Sequence, residues 1–68
     1  MKISEAIKTL NEIKTKFGDI SITGGIMSDT YPLQSIMVLE SNGMEVWPNN
    51  PNNLDLKRIV VDGVFLEG

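Results

Sequence analysis

A single stretch of this chain, Ile3 to Gly18, carries a helical period, and every later segment reads as strand or turn. The fold therefore has one helix with which to cover a sheet. Apolar side chains recur at Ile3, Ala6, Ile7, Leu10, Ile13 and Phe17, three or four residues apart, and line one face of an amphipathic helix. Ser4 is the expected cap of the first turn, with Glu5 just inside the positive end of the dipole. Lys14 and Lys16 sit near the negative end, and Gly18 can adopt the positive φ that stops the helix.

The segments after the helix supply the sheet. Asp19 to Thr23 alternates polar and apolar residues, which predicts a short half-buried strand ended by Gly24 and Gly25. Ile26 to Pro32 reads as a loop, with Pro32 holding Tyr31 extended. Gln34 to Pro48 reads as a hairpin, because Asn42-Gly43 supplies the two positive φ angles of a type I′ turn. A two-residue turn there sets Glu40 opposite Glu45, Leu39 opposite Val46 and Val38 opposite Trp47. The asparagine- and proline-rich run Trp47 to Asn53 is a connection, since proline donates no ladder hydrogen bond. Leu56 to Leu66 reads as a second hairpin about Asp62-Gly63, with Val61 opposite Val64, Val60 opposite Phe65 and Arg58 opposite Glu67. The expected fold is one α+β domain spanning residues 1–68: the N-terminal helix packed on a four- to five-stranded, mostly antiparallel sheet of two β-hairpins plus one strand.

Both hairpins carry apolar side chains on both faces. Leu33, Met37, Leu39, Met44 and Val46 share one side of the first, and Ile36, Val38 and Trp47 share the other. In the second, Ile59, Val61, Val64 and Leu66 lie opposite to Leu56, Val60 and Phe65. One helix shields one face, so association of identical chains is expected to bury the rest, with Ile36, Val38, Trp47, Leu56, Val60 and Phe65 as the interface. A domain this small hides only about 60% of the surface of its unfolded chain, which adds to the case for a homo-oligomer.

The residue types present bound the chemistry. The chain has no cysteine and no histidine, so it cannot form a disulfide, a thiol nucleophile, a histidine-based triad or a zinc site of the common kinds. It carries no phosphate-binding glycine motif and calls for no cofactor. Six basic against nine acidic residues, a net charge of −3, do not suit a nucleic-acid backbone or an anionic membrane. No apolar run approaches a membrane span and no apolar signal core is present, so the expected compartment is the cytoplasm. For a small ligand, the available stacking and cationic groups are Tyr31, Trp47, Lys57 and Arg58, with Asn49 and Asn50 as further polar contacts. Against that, a tryptophan on an apolar sheet face is more often part of a core. The enzymatic alternative rests on Glu40 and Glu45, which a two-residue turn would place together to share a proton or a divalent metal.

The opening Met-Lys-Ile-Ser-Glu-Ala-Ile-x-x-Leu, followed by Gly-Asp and an Ile-x-Ile strand, resembles a loose group of short uncharacterised proteins encoded by bacteriophages and prophages. The similarity covers roughly the first 40 residues. It implies a helix followed by β-hairpins, the cytoplasm of a host cell, and action by binding: blocking a host defence protein or sequestering its nucleotide signal. The expected function is thus a non-enzymatic binding or inhibitor module, with a small structural or assembly protein as the alternative, and a carboxylate-based metal-dependent enzyme behind both.

Overall fold

The computed structural model describes all 68 residues, as one helix and one four-stranded mixed sheet: α1 (Ile3–Phe17), β1 (Ile22–Ile26), β2 (Ser35–Glu40), β3 (Glu45–Trp47) and β4 (Val61–Glu67). The strand order is β1-β4-β2-β3, with β1 parallel to β4 and the other pairs antiparallel. The α+β class is as expected; the sheet is built differently.

The helix starts one residue pair before a Ser4 cap would allow. Lys2 is the N-cap, extended at φ −82° and ψ 161°, and its N–H reaches the Glu5 carboxylate at 3.5 Å. Ser4 lies within the first turn. At the far end the Gly18 N–H donates to the Lys14 carbonyl at 2.9 Å with φ at 89°, so the glycine closes the helix as its sequence position suggests. At about 100° per residue, Ala6, Leu10, Ile13 and Phe17 run along the centre of the apolar stripe, while Ile3 and Ile7 sit at its margin. That margin stays in water: Ile13 is 2% exposed, whereas Ile3 is 80% exposed.

The helix lies over β2, and the core is Ile13 with Ile36, Val38, Val46 and Val64. Val38 pairs with Val64 and Ile36 with Leu66 across β2 and β4, so these side chains share the face toward the helix. Leu54 and Ile59 from the 48–60 connection pack against the same cluster.

The expected hairpin about Asn42-Gly43 forms, through a different turn. Gly43 takes φ 84°, but Asn53 is the sole non-glycine residue with positive φ, so Asn42 does not supply the second positive angle of a type I′ turn. Instead the Gly43 N–H donates to the Glu40 carbonyl at 2.8 Å and the Glu40 N–H to the Met44 carbonyl at 2.9 Å, a three-residue loop with glycine at its left-handed position. The extra loop residue shifts the ladder. Val38 still faces Trp47, while Leu39 rather than Glu40 faces Glu45.

The second hairpin does not form. Asp62 and Gly63 lie inside β4, which runs unbroken beside β2 with Glu40 opposite Val61 and Leu39 opposite Gly63, leaving Asp62 as a bulge. The residues meant to be its first strand are held in turns by Asp55: its carbonyl accepts the Arg58 N–H at 2.9 Å and its carboxylate accepts the Lys57 N–H at 3.0 Å. The pairs Val60–Phe65 and Arg58–Glu67 are therefore absent, and β4 takes β1 as its second neighbour.

That neighbour is also displaced along the chain, starting at Ile22 rather than Asp19. β1 runs through Gly24 and Gly25 to Ile26, because these glycines admit β4 rather than ending the strand. A Cβ on Gly25 would stand 2.6 Å from the Leu66 carbonyl oxygen.

Candidate functional site

The residues expected to hold a small ligand are spread over three regions. Tyr31 is exposed in the loop between β1 and β2. Trp47, at the end of β3, is half-buried against the core and borders a shallow depression with Met1, Thr9, Glu12, Ile36 and Pro48. Lys57 and Arg58 lie in the turns before β4, where the Arg58 guanidinium is 87% exposed and 3.4 Å from Asp55. No cavity is lined by more than one of these four side chains. The asparagines serve the connection itself: the Asn49 N–H donates to Glu45 at 3.0 Å, and the Asn50 amide clasps Leu54 by donating to its carbonyl at 2.7 Å and accepting its N–H at 3.0 Å. A cleft of about 210 Å³ between the helix and β1 is lined by Leu10, Ile13, Ile20, Ile22 and Val64, with Asn11, Lys14 and Asp19 as its polar residues.

Glu40 and Glu45 do not face each other, which corrects the reading that joined them as a carboxylate pair. Glu40 is buried and committed to the turn: its Oε1 accepts the Asn42 N–H at 2.8 Å and the Met44 N–H at 3.0 Å, and its Oε2 accepts the Asn42 amide at 3.3 Å. A carboxylate with these donors is the brace of the turn. Glu40→Ala is expected to cost about 1–3 kcal/mol by stranding two N–H donors, and Glu40→Gln, which keeps one acceptor oxygen, less than that; urea unfolding of both variants measures the difference. Millimolar Mn²⁺ is expected to leave the melting temperature within a degree of its metal-free value, and a rise of several degrees would restore the metal reading.

The expected oligomer interface is also redistributed. Ile36 and Val38, 3% and 0% exposed, are core residues under the helix and cannot form an interface. Trp47 shares their side, and Leu56 and Val60 lie off the sheet, in the segment before β4. Glu40, two residues beyond Val38 on the same strand, is buried as well, and its burial is made possible by the turn donors it binds.

Phe65 alone of the six lies on the face opposite to the helix. Register places it there with Met37, Leu39 and Ile26: Phe65 stands between Gly24 and Met37, Ile26 beside Glu67, and Leu39 between Gly63 and Glu45. Met37, Leu39 and Phe65 are half-buried yet touch none of the core cluster, and Ile26 is exposed. No helix covers this face. Sequence periodicity had marked Met37 and Leu39 as sharing a side, and the missing information was which side α1 would take.

No helix is long and apolar enough to cross a membrane. Comparison of the chain with protein-family models, with curated proteins and with solved structures gives no match.

Proposed function

We propose that this chain is a non-enzymatic binding module whose working surface is the open face of the sheet, and that it acts by covering part of another protein. The observation that carries this reading is the placement of Met37, Leu39 and Phe65: three large apolar side chains side by side on adjacent strands, outside the core and without a covering element. Each is already half-buried, so covering what remains would add only part of the roughly 1.5–3 kcal/mol that a fully exposed side chain gains. A soluble chain that keeps such a patch uses it as a contact surface. The scatter of Tyr31, Trp47, Lys57 and Arg58 favours a blocker of a protein over a sponge for a nucleotide, which needs stacking and cationic groups around one pocket. The resemblance of the first 40 residues or so to phage-encoded accessory proteins is consistent with a blocker of a host protein in the host cytoplasm.

The test uses the folded protein and a neutral apolar dye. Nile red is expected to brighten with the native chain and to lose most of that signal with Phe65→Ser or Met37→Ser, while mono-, di- and cyclic nucleotides leave the melting temperature unchanged. Equal dye signal in all three proteins, or a nucleotide-dependent rise in melting temperature, would refute this reading.

A further inference from the structure

We infer that the occupant of the open face is a cationic amphipathic helix of a different protein; this rests on the reading of that face as the working surface. The inference starts from where the charges lie. The basic residues are Lys2, Lys8, Lys14, Lys16, Lys57 and Arg58, and none is in a strand. The strands carry four acids, and two of these, Glu45 and Glu67, stand on the open face at opposite ends of its apolar diagonal from Ile26 through Phe65 and Met37 to Leu39. Neither glutamate is in an ion pair, since the one ion pair in the molecule joins Arg58 to Asp55. A surface of this composition is complemented by apolar side chains flanked by lysine or arginine.

The same charges select against a second copy. Two sheets of this chain packed face to face would bring four glutamates together with no strand-borne cation to offset them, from partners that each carry a net charge of −3. Shape selects a helix over a strand, because an added strand pairs with an edge and not with a face. Four strands spaced about 4.8 Å apart are some 14 Å across, room for one helix about 10 Å in diameter, which is how α1 already occupies the opposite face.

The probe is a synthetic helical peptide with leucine on one stripe and lysine elsewhere, compared with twins carrying glutamate or glutamine in place of lysine, by fluorescence anisotropy. Expected is binding of the lysine peptide at least tenfold tighter than either twin. It should weaken at least tenfold in Phe65→Ser, and equally in the double variant Glu45→Lys with Glu67→Lys, which keeps Ile26, Phe65, Met37 and Leu39. The double variant Glu12→Lys with Asp19→Lys makes the same change of net charge at exposed positions off this face, and should retain binding within about twofold. Equal loss in both double variants would reduce the effect to bulk charge and overturn the inference. Equal affinity for all three peptides, lost in Phe65→Ser alone, would overturn the charge-selected occupant while leaving the face as the working surface. A solution mass of 15 kDa or more that falls to 7.5 kDa in Phe65→Ser would assign the face to a second copy and overturn it as well.

Discussion

Replacing Ile13 by alanine is expected to cost about 2–5 kcal/mol and to leave little folded protein at physiological temperature. The size of the effect follows from how few side chains make this core. Five residues are the buried apolar cluster, and Ile13 is the one that the helix contributes. A chain of 68 residues at typical stability per residue has roughly 3–10 kcal/mol in hand, so one large cavity removes from about a fifth of that to all of it. The helix has no other deep anchor: Ala6, Leu10 and Phe17 are only partly buried against the cluster. The matched control is Ile7→Ala, at the exposed margin of the same stripe, which is expected to change stability by no more than about 0.5 kcal/mol. Thermal melts of the two variants followed by circular dichroism compare them directly, and equal losses would mean that the helix is anchored along its whole apolar stripe.

The same two residues mark how much of the fold the sequence makes legible. Periodicity of apolar residues identifies the helix, its stop at Gly18 and the apolar stripe, because these depend on neighbours three and four residues away. It does not separate Ile13 from Ile7, since what is buried depends on where the sheet lies. The hairpin between β2 and β3 is legible for the same local reason, yet its turn type is not: the Glu40 side chain binds the turn N–H groups and selects the longer loop. Asp62-Gly63 misleads most. The dipeptide has the chemistry of a hairpin turn, but the flanking residues 56–59 are tied by Asp55 into turns, so no first strand exists and β4 pairs with β2 and β1 instead. The candidate surface was half legible: Met37 and Leu39 sit on one side by simple alternation, whereas Phe65 joins them only through a pairing 28 residues away in the chain, Met37 with Phe65.

Gly63→Ala is expected to be the most damaging substitution at a residue without a side chain, at about 3 kcal/mol or more, because two costs coincide there. The first is backbone strain, since Gly63 holds φ at 156° within β4. The second is space: a Cβ at this position would stand 2.4 Å from the Thr23 methyl group and 2.6 Å from the Ser21 carbonyl oxygen. The Thr23 side chain can rotate away, at the loss of its 3.2 Å hydrogen bond to Asp62, but the Ser21 carbonyl is backbone. That carbonyl accepts the Val64 N–H at 2.9 Å, so moving it detaches the start of β1 from β4. Gly43→Ala isolates the first cost, since it forces a positive φ of 84° where nothing lies within 4 Å of the added carbon, and about 1–2 kcal/mol is expected there. Hydrogen exchange reads the mechanism as well as the magnitude. In Gly63→Ala the Val64 amide should exchange many times faster than in the parent chain, while Gly43→Ala should leave its protection reduced only in proportion to the global loss of stability. A Gly63→Ala melt within a degree of the parent would mean that β1 is not held against β4 through Ser21, and that the parallel pair carries little of the stability of this sheet.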